Sequence, residues 1–194
     1  KGVSVPGTFR SIMISGMGGS ALPGNLFRIY LHDLFRTAES ATQPLAIYQN
    51  RSYNLPPESF VECLNFICSY SGNTEETISS FEEALEHQLP CIAVSAGGKI
   101  EAMAKEHGVP HIKLPIPFEN FQPRVGTGYF FGAMFQVLVN QGLVPDVTAT
   151  LIAEAKALET QIGSLEEQGK ALAEKMAGKT PVIYSTAKYK SVAM

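Results

Sequence analysis

The chain is 194 residues long, 45% hydrophobic and 17% charged, with a formal net charge of −3. A chain of that size buries a substantial core and accommodates one domain plus a remainder. The slightly acidic balance carries no footprint of a nucleic-acid or anionic-membrane partner. No segment reads as long and apolar enough to cross a bilayer, the first residues lack the order of a signal peptide, and Lys1 in place of Met reads as a start inside a longer chain or after processing.

The first predicted strand is Ser11–Ser15 (SIMIS), an apolar run of the kind found in a buried parallel sheet. It runs into GMGGSALPG at Gly16–Gly24, followed by an apolar helix from Ala21 through Leu31. Glycines in such a turn let the backbone approach a ligand closely. Gly16, Gly18 and Ala21 also satisfy the G-x-G-x-x-A form of the dinucleotide fingerprint, which requires an acidic residue at the end of the next strand. That strand, Leu45–Tyr48, ends in Gln49, Asn50 and Arg51, so the ribose partner of a dinucleotide is missing.

Next comes an apolar run, Phe60–Cys68, with the strand proper placed at Leu64–Tyr70, leading into SYSGNTEET at Ser69–Thr77 and a helix over Glu75–Leu89. Hydroxyls, a glycine and a helix start at the end of a strand can build a phosphate cradle. The unpaired N–H groups and dipole of the helix favour an anion, and Ser69, Ser71 and Thr74 can donate to its oxygens. An ordinary helix cap with Thr74 or Asn73 as N-cap accounts for the same residues. No Lys or Arg lies between Arg51 and Lys99 while Glu75 and Glu76 lie close, so a polyphosphate is poorly served here and a single phosphate monoester on a neutral body fits better.

Strands at Pro90–Ser95 and His111–Leu114 flank a helix at Lys99–His107. Alternating strands and helices predict a doubly wound α/β domain, a mainly parallel five-stranded sheet with helices on both faces. Both glycine-rich turns then meet beyond the carboxyl ends of the strands, where such folds bind ligands. The proline- and glycine-rich loop Pro115–Gly128, whose only basic residue is Arg124, precedes an apolar helix over Tyr129–Asn140. A heptad-like stripe of Leu151, Ala155, Leu158, Ile162, Leu165, Gly169, Leu172 and Met176 predicts a single long helix from Val147 to Met176, roughly 45 Å at about 1.5 Å per residue. Thr180–Tyr184 (TPVIY) reads as a new strand, and Ser185–Met194 as the turn and helix opening after it. These elements divide the chain into a domain at 1–145, a linker helix at 146–178 and a strand with a helix start at 179–194, which cannot bury a core of their own and so pack on the first domain or belong to a further one.

Cys63, Cys68 and Cys91 fall in or beside strands without metal-ligand spacing, and read as buried free thiols of a cytoplasmic protein. Glu119 sits in the loop with Arg124, where either an active-site approach or an exposed carboxylate pairing with Arg124 fits. His32, His87, His107 and His111 lie at helix ends and loops without a partnering motif.

GMGGSA at Gly16–Ala21, SYSGNTEET at Ser69–Thr77, SAGGKI at Ser95–Ile100 and QPR at Gln122–Arg124 occur in an order and spacing that resemble the sugar isomerase (SIS) domain. Within it, the bifunctional phosphoglucose/phosphomannose isomerase family is the best match, over roughly residues 8–194. The resemblance implies a flavodoxin-like three-layer sandwich and a first SIS domain followed by the beginning of a second. It further implies interconversion of glucose 6-phosphate or mannose 6-phosphate with fructose 6-phosphate through an enediol or enediolate. Ser69, Ser71 and Thr74 would hold the phosphate, Gly18, Gly19 and Ser20 would line the sugar, and Arg124 would stabilise developing negative charge. The glutamate base and the ring-opening histidine of the family would lie beyond Met194. No redox or metal cofactor is implied, and the full-length protein would be a homodimer. SIS domains also serve as effector modules of regulators, which would carry a basic recognition helix, and as the isomerase part of glucosamine-phosphate synthases, which would carry an ammonia-donating domain upstream.

Overall fold

The computed structural model describes residues 2–37, 44–186 and 188–193. Lys1–Val144 and Pro145–Met194 are two separately compact units. In the first, five strands form one sheet: β1 (Ser11–Ser15), β2 (Ala46–Asn50), β3 (Cys63–Cys68), β4 (Cys91–Ser95) and β5 (His111–Lys113), in the order β2-β1-β3-β4-β5. All four pairings are parallel, with Met13 opposite both Tyr48 and Asn65, and Val94 opposite Ile112. This is the flavodoxin-like doubly wound order, whose topological switch point lies between β1 and β3.

Of the strands expected in this unit, β1 has the expected ends and the other four recur with shifted ends. β3 begins at Cys63, one residue before the expected Leu64, after a 3-10 turn at Pro57–Phe60 and a φ of 45° at Glu62. It ends at Cys68, which leaves Ser69 and Tyr70 to the loop. Every residue of β1, β3 and β4 is buried, as expected of parallel strands covered on both faces, whereas the edge strands β2 and β5 are partly exposed.

The helices are α1 (Leu22–Thr37), α2 (Glu75–Glu86), α3 (Gly98–Glu106) and α4 (Thr127–Asn140), with 3-10 turns at Gly18–Ala21 and Pro123–Gly126. Successive side chains of β3 point to opposite faces. Ile67 enters the cluster formed with Phe81 and Ala84 of α2, Ala93 of β4, and Ile100 and Ala104 of α3. Its neighbour Cys68 reaches Met134 of α4, sulfur to sulfur 4.0 Å. On that side α1 packs on α4, with Phe27 stacked on Phe131 at 4.5 Å and Tyr30 edge-on to Phe131 and Phe135. Each fully buried phenylalanine or leucine, such as Phe27, Phe81 and Leu31, contributes about 1.5–3 kcal/mol.

In the second unit the single long helix expected over Val147–Met176 is instead two, α5 (Thr148–Glu159) and α6 (Ile162–Met176). The interruption falls at Thr160 rather than at either glycine, both of which stay within α6. The Thr160 hydroxyl donates to the Ala157 carbonyl at 2.7 Å and the Gln161 amide to Leu158 at 2.9 Å, so side-chain and tight-turn bonds replace the helical ladder. Thr180–Tyr184 forms no strand, and Val182, Ile183 and Tyr184 lie exposed. A short helix, α7 (Lys190–Ala193), follows. Ala187 and Met194, part of the expected turn and helix start, lie outside the described residues.

Candidate functional site

Two loops leave the carboxyl ends of β1 and β3 on either side of the switch point. The β3 loop folds on its own hydroxyls. Ser69 Oγ lies 2.8 Å from Thr74 Oγ1 and 3.5 Å from Ser71 Oγ, and it accepts the Gly72 amide at 3.1 Å. Ser71 Oγ accepts the Asn73 amide at 3.2 Å.

Thr74 is the N-cap of α2, yet its side chain makes no capping bond, its hydroxyl being turned to Ser69. Asn73 is no substitute, since its Oδ1 accepts the Lys99 amide at 3.0 Å. No capping side chain therefore binds the first turn of α2, which is equally true of α4 and α6. Ser71 is exposed and Thr74 half-buried. Ser69 is completely buried, and sits behind them as the hub of the loop.

The SAGGKI turn braces this loop from the next strand. The Ala96 amide donates to Tyr70 at 2.9 Å and the Ile100 amide to Gly72 at 3.0 Å. Gly72 (φ 71°) and Gly98 (φ 74°) both occupy the left-handed region, and the two turns interlock so closely that a Cβ at Gly72 would fall on the Gly97 carbonyl. Ser95, fully buried at the end of β4, donates to the Gly97 carbonyl at 2.9 Å and lies 2.8 Å from His111 Nε2.

The other two motifs join at Tyr70 and Gly19. Ser20 Oγ accepts the Tyr70 amide at 3.1 Å, tying the β1 turn to the β3 turn. A Cβ at Gly19 would lie 2.9 Å from both the Cα and the amide nitrogen of Arg124, so this glycine lets the QPR segment approach. Gly18, exposed with a φ of 51°, faces open space. The Tyr70 hydroxyl donates to the Pro115 carbonyl at 2.5 Å, and its ring packs on Phe121 at 5.3 Å and Phe130 at 6.4 Å. Burial pushes the Tyr70 hydroxyl above its ordinary pKa, which keeps it a donor. Tyr70 thereby holds both ends of the loop that carries Arg124. Sequence reasoning gave it no role, because the carbonyl it clasps lies 45 residues away.

Gly18, Gly19, Ser20, Ser69, Ser71, Thr74 and the Arg124 backbone are therefore brought to one end of the sheet. Glu119 and Arg124 are both exposed, and among the described residues they form no ion pair. His32 lies 3.1 Å from Asp33, and His87 meets Phe60 edge-on at 5.2 Å, each away from these loops. At the end of β2, Gln49 donates to the Ala21 carbonyl at 2.9 Å and Asn50 donates to Ser52, Asn54 and Ser80, so both amides serve the fold where a dinucleotide site would present a carboxylate. Cys63, Cys68 and Cys91 are free and buried, and burial holds the Cys91 thiol at about 11. Among the described residues no group of three or more His, Cys, Asp or Glu could hold a metal ion, and no helix is long and apolar enough to cross a membrane.

No protein-family model matches the chain. It is 31% identical over 180 residues to the bifunctional phosphoglucose/phosphomannose isomerase of Caldicellulosiruptor bescii, a match covering 89% of this chain and 50% of the relative. It is 32% identical over 179 residues to the protein of the same name from Aquifex aeolicus, covering 92% of this chain and 51% of the relative. The chain thus spans about half the length of the curated relatives it matches. Its fold superposes with a TM-score of 0.60 on a crystal structure from Clostridium difficile 630 described as a candidate phosphosugar isomerase, at 12% identity and over 87% of this chain and 48% of that one. The chain is thus similar over most of its length to bifunctional phosphoglucose/phosphomannose isomerases, and its doubly wound sheet shares the fold of the solved structure.

Proposed function

We propose that this chain is the phosphosugar-binding half of an aldose–ketose isomerase that interconverts glucose 6-phosphate or mannose 6-phosphate with fructose 6-phosphate. The observation that carries the reading is the uncapped N-terminus of α2, with the Ser71 and Thr74 hydroxyls beside it and Ser69 fixing both. Amides and hydroxyls without a cation, flanked by Glu75 and Glu76, suit one phosphate on a neutral sugar. Gly18, Gly19 and Ser20 line the side where the sugar body extends.

The reaction opens the ring and moves a proton between C1 and C2 through an enediolate, whose oxygens gain negative charge. Arg124, carried to the β1 turn by the contact of its backbone with Gly19, stabilises that charge electrostatically. The general base and the ring-opening group belong to the other half of the enzyme, so this chain binds far better than it catalyses. A homodimer of the full-length protein and a cytoplasmic setting complete the proposal; three free buried thiols are in keeping with a reducing compartment.

Calorimetric titration of the chain with fructose 6-phosphate, with fructose and NAD as controls, tests the reading. Saturable binding of the phosphorylated sugar alone is expected. Binding of fructose equal to that of its phosphate would remove the cradle from the account, and binding of NAD would replace the reading with a dinucleotide site.

A further inference from the structure

We propose that His111 is a positioning residue for the phosphate cradle, acting through Ser95 and the Gly97 carbonyl. The inference rests on the sugar-phosphate reading of the site and extends it to a side chain that touches no ligand.

The hydrogen-bond directions follow from proton counting. The Ser95 hydroxyl has one proton, and it is donated to the Gly97 carbonyl at 2.9 Å. Across the 2.8 Å contact with His111, Ser95 Oγ can therefore only accept, which fixes the imidazole as an Nε2–H donor. Ser95 is fully buried, while His111 and Gly97 are half-buried, so the middle of the relay is screened from water.

The far end of the relay bears on the cradle. The Gly97 carbonyl it orients packs directly against the Gly72 Cα. On either side of that contact the Ala96 amide binds Tyr70, the Lys99 amide binds Asn73 Oδ1 and the Ile100 amide binds Gly72. Tyr70, Gly72 and Asn73 are the backbone of the cradle itself. A Gly97 carbonyl free to rotate would release the wall that holds Gly72 in its left-handed conformation, and Ser71 and Thr74 on either side would lose their alignment.

Burial lowers the pKa of His111, opposed by Glu101 of α3 and assisted by Lys113 of β5, which favours the neutral ring. Protonation would add a proton at Nδ1 and leave the Nε2–H donor in place. The relay works in either charge state.

The test compares His111→Ala, His111→Gln and His111→Asn in the whole chain. It uses calorimetric affinity for fructose 6-phosphate and amide hydrogen exchange at Lys99 and Ile100. Glutamine can present an N–H near the position of Nε2, whereas asparagine is too short. The expected result is about tenfold weaker binding in the alanine and asparagine variants and near wild-type binding in the glutamine variant. Exchange at Lys99 and Ile100 should be faster in the first two only. Equal affinities in the alanine and glutamine variants, or unchanged exchange in the alanine variant, would overturn the assignment. If the wild-type chain bound no sugar phosphate, the functional reading would fall, and the exchange comparison alone would still decide whether His111 holds the turn.

Discussion

Gly72→Ala is expected to destabilise the first unit by about 3 kcal/mol and to abolish sugar-phosphate binding. The backbone there has a φ of 71°, a left-handed conformation that costs an L-residue about 1–2 kcal/mol. The new methyl would also meet the Gly97 carbonyl and carbon, backbone atoms that cannot swing aside, and forced overpacking adds about 1–3 kcal/mol. For a chain of this size, thermal denaturation should show a midpoint lowered by roughly 10 °C. Gly132→Ala in α4 is the matched control. It makes the same chemical change in the same unit, where a Cβ meets nothing within 4 Å, and should stabilise by up to about 1 kcal/mol through helix propensity. Equal effects at the two positions would show that the turns are not interlocked.

Ser71→Ala combined with Thr74→Ala is expected to leave the fold standing while removing the ligand. Each hydroxyl contributes roughly 1–3 kcal/mol to a phosphate it can reach, and because the two share Ser69 as a partner their effects need not add. An N-cap threonine ordinarily costs about 1 kcal/mol of stability when truncated. Thr74 caps no amide, so its removal forfeits only the bond to Ser69. Affinity for fructose 6-phosphate should therefore fall far more than the melting temperature. Unchanged affinity in the double variant would move the phosphate elsewhere on the protein.

The parts of the site legible in the sequence are those written in local chemistry. β1 at Ser11–Ser15 was readable to the residue, as an apolar run ended by glycine, and α2 begins at Glu75 where its acidic first turn places it. What was not legible depends on residues distant in sequence. Ser69 reads as a phosphate donor from its hydroxyl, but its complete burial follows only from the packing around β3. The brace from Gly97 to Gly72 links turns 25 residues apart, and nothing within either turn announces the other. His111 looked solitary because its partner, Ser95, is on the neighbouring strand.

Ends of elements failed for local reasons as well. α2 stops at Glu86 instead of Leu89 because Gln88 adopts a φ of 53° and reverses the chain. α1 continues to Thr37, past the apolar stretch that defined it to Leu31. The heptad stripe beyond Val147 masked the interruption at Thr160, where a hydroxyl competes for the helix carbonyl without altering the spacing of the apolar residues.

The central claim is that the turn after β3, with the N-terminus of α2, holds the phosphate. Its most direct test is a fructose 6-phosphate titration of the 15N-labelled chain followed by amide chemical shifts, with fructose as the control. The account predicts saturable shifts concentrated at Ser71–Thr77, extending to Gly18–Ser20, that appear with the phosphorylated sugar and not with fructose. Shifts confined to other parts of the sheet, or the same pattern with fructose alone, would contradict it.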